Sequence, residues 1–158
     1  MIATVTNTVV ATVAVGMGNY PGAVAIVPPP PGVPFLAFNA LLEIPPSLNA
    51  FQLESSFTLS STAPAINPVT QAVALQIGTF TTTIPAGSFK NIGGKFPFEG
   101  VIGGVTLRVL IVPTGTLRYG FFAGAAGASL TGTTSPVPVT LAIGTDTGTT
   151  SVTGLIFH

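Results

Sequence analysis

This chain carries almost no charge. Charged residues make up 5% of its 158, against roughly 25% in an ordinary soluble domain. The inventory is Glu43, Glu54, Glu99 and Asp146 against Lys90, Lys95, Arg108 and Arg118, with a lone histidine, His158, in the last position. Four dispersed cations form no basic stripe, so no nucleic-acid partner is expected. A single terminal histidine supports neither a proton relay nor a histidine metal cluster. Cysteine is absent, which excludes disulfides and thiolate ligands. Long apolar runs are missing too: a spanning helix needs about 20 residues, and the most apolar region, 23–38, is broken by Pro28–Pro31 and Pro34. Tryptophan is absent and tyrosine is limited to Tyr20 and Tyr119, too few for the aromatic girdles of a transmembrane barrel. No membrane insertion is expected.

Catalysis finds little to work with. Glu99 and Asp146 have no spacing that suggests a glycosidase pair. Asp146, inside Gly144-Thr145-Asp146-Thr147-Gly148, reads as a turn residue, and one carboxylate is too few oxygens for calcium. The pairs Gly93-Gly94 and Gly103-Gly104 precede no helix and read as turns, not phosphate loops. No catalytic residue, metal or cofactor is expected, and the protein is read as a non-enzyme.

Net charge is zero and 47% of residues are hydrophobic. Such a surface does little to hold copies apart, so it is either hydrated through hydroxyl groups or covered by other subunits. The segment 2–15, IATVTNTVVATVAV, gives that idea a form. Val5, Val9, Ala11, Val13 and Val15 occupy odd positions, while Thr4, Thr6, Thr8 and Thr12 occupy even ones. Alternation of β-branched residues with period two predicts a half-buried strand, and fourteen extended residues would reach roughly 46 Å. Glycine and proline in 16–22 form a hinge, and Pro28–Pro31 form a stiff polyproline spacer. Met1 is followed by no basic segment, and the threonines interrupt a signal core, so no signal peptide is expected.

Residues 33–44 are ambiguous, with extended structure favoured and Pro34 against a central strand. From Phe51 the strand signals become regular. Phe51, Leu53, Phe57 and Leu59 share one face; Val73, Leu75 and Ile77 share another; Val105, Leu107, Val109 and Ile111 form the cleanest inward face. Leu117, Tyr119 and Phe121 alternate on the next strand, and 136–143 and 151–157 supply the last two, separated by 144–148. Short strands with turn signals every ~8–12 residues predict an all-β fold, a β-sandwich of Ig-like or jelly-roll-like type with an extended N-terminal strand. The domain reading is an arm, hinge and spacer over 1–50 and a sandwich body over 51–158. In 120–128 (GFFAGAAGA), small side chains permit close approach of a second backbone, which makes Phe121, Phe122, Ala123 and Ala125 candidate interface residues.

Several strings within 51–152 carry a resemblance: AINP at 65–68, ALQIGTF at 74–80, IPAGSFK at 84–90, GVTL at 104–107, LTG at 130–132 and PVTLAIG at 138–144. Together they resemble a β-rich repeat of large secreted and surface proteins of environmental bacteria. The resemblance implies an extracellular domain of structural or adhesive type and brings no catalytic residues. The expected function is a structural subunit of an extracellular filament, a homopolymer in which 2–15 completes a neighbour's sheet. A surface module that adheres to glycans or to another cell is the alternative, with Tyr20, Tyr119, Phe121 and Phe122 as its aromatic candidates.

Overall fold

The computed structural model describes residues 33–153. The expected donor strand, with Val5, Val9, Ala11, Val13 and Val15, lies outside the described residues, as do the hinge, the spacer and Tyr20. The described residues contain no helix. Their strands are β1 (Val33–Pro34), β2 (Ala37–Glu43), β3 (Ala50–Thr58), β4 (Val73–Ile77), β5 (Phe80–Ile84), β6 (Phe96–Ile102), β7 (Val105–Gly115), β8 (Arg118–Ala126), β9 (Val137–Ile143) and β10 (Asp146–Val152). Sheet A has the order β1-β10-β9-β4-β5 and sheet B the order β2-β3-β8-β7-β6. All pairings are antiparallel except β1 with β10. The protein is a β-sandwich, as the alternation predicts.

Period two explains the core directly. Phe51, Leu53 and Phe57 of β3 are buried while Gln52, Glu54 and Ser56 are exposed. Leu107, Val109 and Ile111 of β7 point inward, and Val137, Val139, Leu141 and Ile143 of β9 are completely buried. Full burial of a side chain this size contributes about 1.5–3 kcal/mol. Gly103 and Gly104 join β6 to β7 with φ of 58° and 81°, the left-handed pair that matches hairpin twist.

The body begins earlier than residue 51. Val33 and Pro34 pair with Asp146 and Thr147 in sheet A, and β2 then pairs along its whole length with β3 in sheet B. The chain therefore switches sheets at Phe35–Leu36 and ties the two sheets together at one corner of the sandwich. Pro34 fits because β1 is an edge strand. The last hairpin also differs from expectation. Its turn is only Gly144-Thr145, and Asp146 is the first residue of β10. Thr147, Thr149 and Thr150 are strand formers, and pairing with β9 extends them into the region read as a loop.

An aromatic column holds the switching corner. Phe35 stacks on Phe57 at 4.6 Å and Phe57 on Tyr119 at 5.2 Å, with Phe38 edge-on to Phe35 at 5.8 Å. Burial pushes the Tyr119 phenol above its ordinary pKa. A Cβ at position 148 would overlap the Phe35 ring, so the glycine in β10 is what lets that ring lie against the sheet. Gly148→Ala is expected to destabilise the protein by about 1–2 kcal/mol through overpacking, measured by denaturant unfolding. The loss should shrink when Phe35 is already Leu.

Candidate functional site

The register of sheet B sets out its outer face row by row. Leu41, Glu54, Phe122, Leu110 and Pro97 are aligned across the five strands, and Glu43, Gln52, Gly124, Arg108 and Glu99 form the adjacent row. Leu41 is 69% exposed and Phe122 40% exposed. Gly124, having no side chain, leaves an open depression of about 1160 Å³ between these rows, reaching Lys90 and Ile92 beyond β6. All three glutamates of the chain lie on this face. Arg108 meets Glu99 through Nε at 3.1 Å and Nη2 at 2.9 Å. Both side chains are well exposed, and exposed pairs contribute little. Glu99→Gln is therefore expected to shift unfolding free energy by less than about 1 kcal/mol, read from a urea titration.

The outer face of sheet A is different in kind. Thr81 and Thr83 of β5, Gln76 of β4, Thr140 of β9 and Thr149 of β10 lie on it, with the Thr140 and Thr149 hydroxyls 2.9 Å apart. It carries hydroxyls and amides but no ion, which is how the protein hydrates a sheet without charge.

The interface candidates on β8 fall on alternate faces. Phe121, Ala123 and Ala125 are buried in the protein's own core; Phe122 alone points outward. The period-two rule that identified other core faces applies here also, and small residues had obscured it. Among the aromatic candidates for a glycan platform, Tyr119 belongs to the corner column and Phe121 to the core, leaving Phe122.

Two features escaped the sequence reading. Leu41 was hidden in a segment of undecided structure. Asp146 is 1% exposed, and neither carboxylate oxygen has a hydrogen-bond partner among the described residues. Desolvation holds its pKa above the ordinary value of 3.8. The described residues contain no group of three or more His, Cys, Asp or Glu that could hold a metal, and Asp146 by itself makes no cation site. No helix among them is long and apolar enough to cross a membrane. No protein-family model, curated protein or solved structure matches this chain, and the repeat resemblance rests on its sequence strings alone.

Proposed function

We propose that this protein is a structural subunit of an extracellular filament, polymerising head to tail by donating residues 2–15 to the neighbouring subunit. One observation carries the reading: the chain joins the body as an edge strand. β1 pairs with only two residues of β10, in parallel, beside the Gly144-Thr145 turn. Val33, the first described residue, donates its N–H to the Thr145 carbonyl at 2.8 Å, at the turn end of β10. The described strands bury a core of their own, and a neighbour's sheet edge is the natural place for the arm's backbone groups and alternate valines. Contacts of this heterologous kind that do not close into a ring give an open helical fibre. Deleting residues 2–15 should leave folded monomers and no fibres by electron microscopy and sedimentation; fibres that persist would refute the reading.

The outer face of sheet B supports a second reading, a glycan-binding surface module. Phe122 stands exposed with Glu54, Gln52 and Arg108 around it, the mixture of ring face and polar groups that carbohydrate recognition uses. The arm-deleted monomer should then retain glycans on an array, and Phe122→Ala should abolish the signal without unfolding.

A further inference from the structure

We infer that the acceptor for the donated strand is the outer edge of β2, and that the occupant is residues 2–15 of a second copy; this rests on the filament reading. Hydrogen-bond direction decides which backbone groups each edge offers. Leu59 donates to the Leu117 carbonyl and Gly127 to the Asn49 carbonyl, so odd-numbered residues of β3 face β8 and even-numbered ones face β2. With Ala37 opposite Thr58 and Glu43 opposite Gln52, the odd residues of β2 bond to β3. Phe38, Ala40 and Leu42 therefore turn N–H and C=O outward, with no backbone partner among the described residues.

The other edges offer less. On β6 the outward set is Pro97, Glu99 and Val101; Pro97 has no N–H, its carbonyl accepts from Lys90 at 3.2 Å, and Glu99 and Lys90 bring charge to the edge. On β5 only Thr81 and Thr83 face outward, and Pro85 follows. On β10, β1 already occupies Thr145 and Thr147, which leaves Thr149 and Ser151. Proline, charge and shortness are the ordinary devices that stop strand addition. β2 has none of them across Ala37–Glu43 except Glu43 at its end.

Side chains point the same way. An added strand would continue sheet B with one row of side chains turned to the interior, beside Phe38 and Ala40, which are packed against the core but left half-exposed. In the odd row Val5, Val9, Ala11 and Val13 supply apolar cover there, with Asn7 the one polar residue among them, and the threonines of the even row extend the outer face next to Asn39 and Leu41. A chain of zero net charge presents no repulsion to a second copy.

Ala40→Pro tests this. Proline removes an N–H that points off the edge, leaves the bonds of Asn39 and Leu41 to β3, and is tolerated on edge strands. The variant should fold and form no fibres alone. It should still donate its arm, so a 1:1 mixture with the protein lacking 2–15 should give a heterodimer and stop. Ser151→Pro and Thr83→Pro, which block the competing edges, should polymerise as the parent does. Hydrogen exchange provides the readout that needs no substitution in β2: in parent fibres the Phe38, Ala40 and Leu42 amides should exchange at least about 100-fold more slowly than in the arm-deleted monomer, with Thr149 and Ser151 unchanged. Normal fibres from Ala40→Pro, or slowed exchange on β5, β6 or β10 instead of β2, would overturn the assignment to β2 while leaving strand donation intact. A full-length chain that stays monomeric with β2 protected would show the arm pairing within its own subunit and overturn both.

Discussion

Phe57→Ala is expected to cost about 3–5 kcal/mol of folding free energy. Phe57 is 2% exposed and is the middle ring of the column that Phe35 and Tyr119 complete. Removing it leaves a cavity between two rings held by different elements, β8 on one side and the sheet-switching segment on the other, so neither can collapse into the gap without moving backbone. The loss exceeds simple transfer of the ring, because stacked aromatic pairs add about 0.5–1.5 kcal/mol each beyond burial. Urea unfolding monitored by tyrosine fluorescence or circular dichroism measures it. Phe122→Ala is the matched control: the same side chain is removed from the solvent face, and less than about 1 kcal/mol should be lost. Equal losses for the two would show that the column is not what holds the corner. Because Phe35 lies two residues from the point where the chain joins β10, Phe57→Ala should also loosen the attachment of the arm, seen as faster amide exchange at Val33 and Phe35.

Asp146→Val is expected to raise stability at neutral pH by about 2–3 kcal/mol, since an unpaired buried polar or ionised group costs that much and valine fills a similar space in a strand. The pH dependence follows from the direction of the shift. The folded-state pKa is raised above the ordinary 3.8, so the folded protein holds the proton more tightly than the unfolded chain. Below the ordinary value both states are protonated and the penalty is absent. As pH rises from there to the folded-state value, the unfolded chain ionises first and stability falls; above the folded-state value the loss is complete and constant. Asp146→Asn should flatten that slope, and Asp146→Val should flatten it at higher stability. Unfolding free energies measured between pH 3 and 8, within the span that carboxylates titrate, give the comparison. A parent protein whose stability increases with pH over that range, with the slope lost in Asp146→Asn, would mean that Asp146 has a partner when folded.

Much of the body was legible because the two-residue period of a strand is a local property. Phe51, Leu53 and Phe57, or Leu107, Val109 and Ile111, declare an inward face without reference to any other strand. The same rule correctly read would have turned Phe121, Ala123 and Ala125 inward and left Phe122 outside. It lost force there because glycine and alanine give weak contrast between faces. The segment 33–44 was harder. Its identity as β1 and β2 depends on pairing with β10 and β3, where partner residues lie from 9 positions apart (Glu43 and Gln52) to 113 (Val33 and Asp146), and no local pattern encodes a partner.

What the sequence by itself determined is the fold class, the scarcity of charge, the absence of cysteine and the alternating character of 2–15. These follow from composition and short-range periodicity, which belong to the chain before it folds. The tertiary structure alone decided which backbone groups turn outward at the sheet edges of the described residues, since that turns on the direction of hydrogen bonds across sheets. It also decided that Asp146, a turn residue by its neighbours, is enclosed with no hydrogen-bond partner among the described residues, because burial is a property of what other strands bring beside a residue and not of the residues next to it in sequence.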